Sequence, residues 1–204
     1  MWNELSEIWQ AAFREAWEAF IQGSPPIGAV LCGSDGRIMM CEHNRNNEPH
    51  ILNKRLAHAE TGILRRLDTA EYDPKKLVLY STMEPCPMCM GTIIMSNIKR
   101  VHYAASDSYC GMTHLTRTEP YYSSKNVSRF HEGGEPEKFQ LTIQAYYELR
   151  NIEQGAGSCV FEKFREHCPS AAETAVRLFA ERWLDKAADS RTDVSEVYDH
   201  IMNG

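Results

Sequence analysis

A layered α/β domain with a partly parallel sheet is the fold class this sequence predicts, on three observations. Short apolar runs of strand length alternate with segments of helical period between Ile27 and Ala105, the pattern of strand–helix–strand units. The 204 residues are enough for one ordinary domain and a small extension, and 43% hydrophobic with 25% charged residues is the composition of a packed core. No run approaches about eighteen apolar residues, which excludes a transmembrane helix.

The first element is a helix. Leu5, Ile8, Trp9, Ala12, Phe13, Ala16, Trp17, Phe20 and Ile21 recur at helical spacing, and Glu4, Glu7, Arg14, Glu15 and Glu18 fill the other face. Gly23-Ser24-Pro25-Pro26 ends it. Ile27–Cys32 reads as a buried strand, Gly33-Ser34-Asp35-Gly36 as a turn, and Arg37–His43 as the returning strand of a hairpin. A polar loop over Asn44–Asn53 precedes a helix predicted from about Leu56 to Leu67. Asp73-Pro74 breaks the chain before a strand at Leu77–Tyr80, Pro85 opens the next helix, and Arg100–Ala105 is again a strand.

From Ser106 to Glu137 there is no clear period, and so long an irregular stretch inside a domain points to a binding loop or lid. Phe139–Ala145 alternates like a strand. In the tail, Ser170-Ala171-Ala172-Glu173 fits a capping box ahead of Val176, Leu178, Phe179, Trp183 and Leu184. Ser190 breaks that pattern, and Val194–Met202 forms a last short helix, giving two helices between Ser158 and Gly204.

With 22 basic and 28 acidic residues the net charge is −6, which does not advertise a phosphate backbone as partner. Met1-Trp2-Asn3-Glu4 lacks the basic start of a signal peptide, and seven cysteines is an odd number. Together they predict a reducing, cytoplasmic location and metal ligation in preference to a disulfide framework.

Two segments carry chemistry: His58-Ala59-Glu60 and Pro85-Cys86-Pro87-Met88-Cys89. Cysteines at i and i+3 on a helix share a face, a proline at the helix start costs no hydrogen bond, and the helix N-terminus favours the thiolate. Taken alone, the Cys-x-x-Cys pair is equally a redox pair or half of a structural zinc site. No second such pair exists to complete four ligands. His58 as third ligand leaves one position open, and Glu60 supplies a proton carrier beside it, the composition of a hydrolytic zinc centre. Residues i and i+2 diverge by about 200° in mid-helix, so His58 and Glu60 can share a site only if the helix begins close to Ala57.

His-x-Glu followed by Pro-Cys-x-x-Cys is the signature of zinc nucleobase deaminases. Over residues 1–150 the chain resembles the cytidine deaminase-like superfamily; Pro26-Ile27-Gly28-Ala29-Val30 is similar to its first-strand entry. Thr82-Met83-Glu84-Pro85-Cys86-Pro87-Met88-Cys89-Met90-Gly91 is most similar to guanine deaminases and tRNA adenosine deaminases. Cytidine deaminases proper carry Cys where this chain has His58, and fungal-type cytosine deaminases carry Gly at Ala59, so the resemblance leans to the purine side. It implies a three-layer α/β/α sandwich around a five-stranded mixed sheet, a homodimer, and zinc held by His58, Cys86 and Cys89. Zinc-bound hydroxide would attack the carbon bearing the exocyclic amine, with Glu60 as proton shuttle and ammonia released. Asn44 matches the family's substrate-contacting Asn, and Asp107 an acidic position after the fourth strand. With Ala59 of the signature, and His114 from the irregular segment, they form the candidate substrate-binding set.

The resemblance ends near Arg150, so residues 1–150 are expected to form the deaminase domain and 151–204 a helical extension packed on it. The implied function is deamination of a small nucleobase or nucleoside, guanine-like. The alternatives are a tRNA adenosine deaminase, for which Lys54, Arg55, Arg65, Arg66, Lys75 and Lys76 are the local basic residues, and an inactive zinc scaffold. Nucleic acid is the less favoured partner, and no membrane is involved. The plain alternatives at single residues are a turn-forming Asn44, a capping Asp107, and a structural zinc knot.

Overall fold

Helix α1 (Glu7–Ile21) starts at Ser6, whose Oγ accepts a hydrogen bond from the Trp9 amide, and buries Trp9, Ala12, Phe13, Ala16, Trp17, Ala19 and Phe20. The following strand β1 (Gly28–Cys32) is buried throughout. Helix and strand meet at Gly28, where a Cβ would stand 2.1 Å from the Ala12 carbonyl oxygen and 2.6 Å from the Ala16 nitrogen. Only glycine permits that approach. The structure, a computed structural model, describes residues 1–204.

Strands β2 (Ile38–His43), β3 (Val78–Met83), β4 (Arg100–Ala105) and β5 (Ser128–His131) complete a sheet of order β2-β1-β3-β4-β5. β1 is antiparallel to both its neighbours, Ala29 lying opposite Ser81, while β3, β4 and β5 are parallel. Helices α2 (Ala59–Arg66) and α3 (Pro87–Met95) cover one face, enclosing Ala29, Leu31, Ile63, Leu79, Met90, Ile93 and Val101. On the other face α1 and α6 (Gly134–Glu153) enclose Phe13, Phe20, Val30, Ala104, Phe139 and Tyr146. Val30 points opposite to Ala29 and Leu31, so one strand feeds both cores. This is the mixed five-stranded, three-layer architecture the resemblance implied. No helix is long and apolar enough to cross a membrane.

Several elements differ from the sequence expectations. Phe139–Ala145 is not a strand but the middle of α6. Its apolar–polar alternation misleads because Gln140, Thr142 and Gln144 are buried along with the apolar residues between them. Gln140 Nε2 donates to the Pro26 carbonyl at 2.7 Å and Thr142 Oγ1 to the Lys138 carbonyl at 2.8 Å, so backbone oxygens take up polar groups that a period-two reading sends to solvent. The fifth strand is instead Ser128–His131, a mostly exposed sheet edge with no apolar signature. It lies in the irregular segment, which also holds the short helices α4 (Leu115–Thr118) and α5 (Pro120–Ser124).

The tail forms four helices instead of two: α7 (Cys159–His167), α8 (Pro169–Ala180), α9 (Trp183–Asp189) and α10 (Val194–Asn203). The expected capping box at Ser170–Glu173 is absent. Pro169, lacking an N–H, takes the first helical position, and Cys168 is the cap. The helix expected through Trp183 is split at Arg182, which sits at φ 54°. α7 and α8 bring Phe164 and Ala171 against Met83 and Ala105, the last residues of β3 and β4, and against Leu141 of α6. α9 is tied to α6 through Asp185, which accepts from Tyr146 Oη at 2.8 Å and Arg150 Nε at 2.7 Å.

Replacing Gly28 by alanine should force α1 off β1 and cost about 3 kcal/mol, the upper part of the usual range for overpacking. The measurement is a urea midpoint that falls with unchanged slope.

Candidate active site

Both helices of the zinc signature begin at a ligand residue. His58 is the N-cap of α2, with extended φ −76° and ψ 150°, and Glu60 is the second residue inside the helix. The helix therefore starts two residues later than Ala57, further in the direction that the His58–Glu60 pairing demands. Cys86 is the N-cap of α3, also extended at φ −70° and ψ 175°, so this helix opens at Pro87 and not at Pro85, with Cys89 in its first turn. The cap position gives each ligand a direction that no mid-helix residue has, and the helix dipoles favour anionic sulfur there.

His58 Nδ1 lies 3.6 Å from Cys86 Sγ and 3.5 Å from Cys89 Sγ, and the three donor atoms lie within 4.8 Å of one another. A tetrahedral zinc with ordinary Zn–N and Zn–S bonds holds nitrogen and sulfur about 3.5–3.6 Å apart. The donor set and its spacing thus fit zinc. Hydrogen bonding by the Cys89 thiol, with His58 beside it, holds the Cys86 thiol down to about 4.

Glu60 is 3% exposed, with Oε1 accepting from Ser81 Oγ at 3.3 Å and Oε2 lying 3.2 Å from Cys89 Sγ. Burial pushes its carboxyl above the ordinary range.

The first part of the irregular segment, expected to be a binding loop or lid, is anchored as a wall over residues 107–113. Glu84, at the end of β3, accepts from the Asp107 amide at 3.2 Å, the Thr113 amide at 3.1 Å and the Thr113 hydroxyl. A Cβ on Gly111 would come within 2.3 Å of Glu84 Oε2, so glycine lets the loop close over this carboxylate. The Met112 amide donates to the Pro85 carbonyl at 3.0 Å, tying the wall to the metal loop. In the sequence the only signal for this anchor is that Glu84, an acidic residue, stands directly before Pro85-Cys86.

The candidate substrate residues fare differently. Asp107 Oδ1 accepts from the Tyr109 and Cys110 amides, each at 2.9 Å, and Oδ2 from the Cys110 thiol at 3.1 Å, so its carboxylate is engaged in its own turn. Asn44 is 1% exposed; its Oδ1 accepts from the Asn46 amide at 2.9 Å, and its Nδ2 has no partner. Ala59 is wholly buried in the core beneath the site. His114 is exposed ahead of α4 and makes no hydrogen bond through its ring.

His43, beside Asn44, belongs to no sequence motif but is held on both ring nitrogens. Its Nδ1 lies 2.9 Å from Glu15 of α1 and its Nε2 3.0 Å from Glu48, while Arg45 pairs with both Glu42 and Glu48. Burial and Arg45 act to lower its pKa, but the two carboxylates prevail and raise it.

Residues 3–105 match the cytidine and deoxycytidylate deaminase zinc-binding region. The chain belongs to this family. It is a zinc-dependent deaminase. Its tRNA-specific adenosine deaminase relative from Agrobacterium fabrum is 36% identical over 113 residues, 51% of this chain and 67% of that protein. The enzyme of the same name from Bacillus subtilis is 36% identical over 98 residues, 47% of this chain and only 58% of the relative. A solved structure from work on tRNA:A34 deaminases is 30% identical, with a TM-score of 0.54 over 67% of this chain and 97% of that one. A protein solved with 2,6-diaminopurine, 20% identical with a TM-score of 0.50 over 70% of this chain and 80% of its own, shares the fold.

Removing zinc from this deaminase with a chelator should lower Tm, because the metal binds the folded state, and Cys86→Ser should lower zinc content measured by elemental analysis. His43→Gln should reveal a pH-dependent clamp. A histidine raised above its ordinary 6.5 contributes stability fully below that value and loses it as pH rises through the folded value. The urea-midpoint difference between wild type and variant should therefore shrink as pH climbs from 6 to 9.

Proposed function

We propose that this deaminase removes the exocyclic amine of a free nucleobase or nucleoside, a purine of the guanine type, and releases ammonia. The observation that carries the reading is the enclosure of the site. Glu60 is 3% exposed, and the strand ends beside it are capped by α7 and α8. Such a site suits a compact ring better than a structured RNA loop. Residues 1–150 make the deaminase unit, and 151–204 serve it as a packed extension.

In this reading His58, Cys86 and Cys89 hold the zinc. When bound, the metal supplies Lewis acidity that brings the pKa of water toward neutrality. Glu60, held by Ser81 and shielded from solvent, would take one proton of the attacking water and pass it to a ring nitrogen, then carry the second, from the hydroxyl now on the attacked carbon, to the departing amine. The unpartnered Nδ2 of Asn44 is the donor left for substrate, Ala59 floors the site, and Asp107 shapes the wall. All seven cysteines are free, which suits a reducing cytoplasm. Exposed Met95 and Tyr121, in contact with one another, offer an apolar face for a homodimer.

A second reading, adenosine deamination in tRNA, is favoured by the names of the relatives. Lys54, Arg55 and Arg65 carry no ion pair, but Arg66 is spent on Glu42 at 2.7 Å, and Lys75 and Lys76 lie at the start of β3, away from the metal ligands beyond its other end. Ammonia release from guanine, adenine, cytosine, their nucleosides and tRNA distinguishes the two. Turnover of a free purine, reduced about 10²–10⁴-fold in Glu60→Ala, supports the first reading. Turnover of tRNA alone, weakening steeply with salt, replaces it by the second.

A further inference from the structure

The Glu137 carboxylate, in the first turn of α6, gathers three donors on one oxygen. Its Oε1 lies 3.0 Å from the Ser106 amide, 3.1 Å from His131 Nε2 of β5 and 3.2 Å from His167 Nε2 of α7. Tyr103 stacks on the His131 ring at 5.1 Å and so orients it. Burial acts to raise the Glu137 pKa, but the Ser106 amide and the two imidazoles prevail and lower it, which keeps it a charged acceptor.

Ser106 is the first residue after β4 and opens the wall, which Glu84 fastens at Asp107 and again at Thr113. Three residues before His167, Phe164 is buried against Met83 and Ala105, the last residues of β3 and β4. β3 leads into the metal loop and β4 into the wall. One face of α7 therefore bears on both departures, by packing at Phe164 and by charge at His167.

We propose that α7 is the positioning element for the substrate wall: through Phe164 and the His167–Glu137–Ser106 latch it fixes how far residues 106–113 stand from the metal loop, and so the size of ring admitted. His167 and Glu137 are positioning residues, acting through the wall and touching no substrate. The proposal rests on the reading that this wall bounds the substrate. It assigns a task to the part of the chain that lies beyond the deaminase signature.

The experiment compares the zinc-loaded full chain with His167→Ala, His167→Gln and Glu137→Gln. Two readouts are taken: hydrogen exchange of the 106–113 amides, and KM and kcat for guanine. His167→Ala and Glu137→Gln should speed exchange in 106–113 about tenfold while zinc content and exchange in α1 stay unchanged. KM for guanine should rise severalfold with kcat held within about twofold. His167→Gln, whose amide can donate where Nε2 does, should recover both. Unchanged wall exchange in His167→Ala and Glu137→Gln overturns the latch, as does loosening spread over the whole chain. If no free base is turned over, the substrate reading fails, and exchange alone decides the latch.

Discussion

The N-cap is the position on which the site depends. A helix leaves its first amides unsatisfied and its cap residue outside helical dihedrals, so a side chain there can turn back across the helix end. Two helices use this freedom at the same place. His58 ends the approach to α2 and Cys86 the approach to α3, both in extended conformation. Glu60 and Cys89 follow inside the first turns, where the helix axis is already fixed. Had α2 begun one turn earlier, His58 and Glu60 would present different faces. The sheet sets the distance between the two caps, because β1 and β3 are hydrogen-bonded neighbours and each helix packs on the same face.

Around this centre the chain spends its charged residues on fixing loops. Glu137 holds the wall at Ser106, and Glu84 holds it at Asp107 and Thr113, through backbone amides. Glu15 and Glu48 hold His43 next to Asn44. Charge-assisted hydrogen bonds of this sort have strict geometry, and several are shielded from solvent, so they fix position more than they add stability. An acidic protein is what results when so many carboxylates serve as acceptors for loop amides and imidazoles.

The sequence disclosed the centre and missed its frame for one reason. His58, Glu60, Cys86 and Cys89 lie in two short segments whose spacing reflects local helix geometry, and β1–β4 show themselves by apolar runs bounded by turns. The frame is made by long-range partners. Glu84 meets Thr113 and Glu137 meets His167 across about thirty positions, and no periodicity records that. The helix α6 was hidden for a related reason. Periodicity assumes one wet face, and the middle of α6 has none. β5 failed in the opposite sense, being too exposed to carry a core pattern.

The enclosed middle of α6 also bears on how the chain is made. Its core includes Trp2, Phe13 and Phe20 from the beginning of the sequence together with Leu184, Val197, Tyr198 and Ile201 from near its end. Tyr198 touches both Phe13 and Phe139. As the polypeptide emerges from a ribosome, the layer holding α2 and α3 has all its residues once Val127 is out, whereas the α6 layer waits for Ile201. Contacts so distant in sequence form slowly and leave apolar surface uncovered meanwhile. The nascent protein thus passes through an interval in which its metal-binding half can be complete while its other half is still sticky. During that interval chaperones have most reason to hold it.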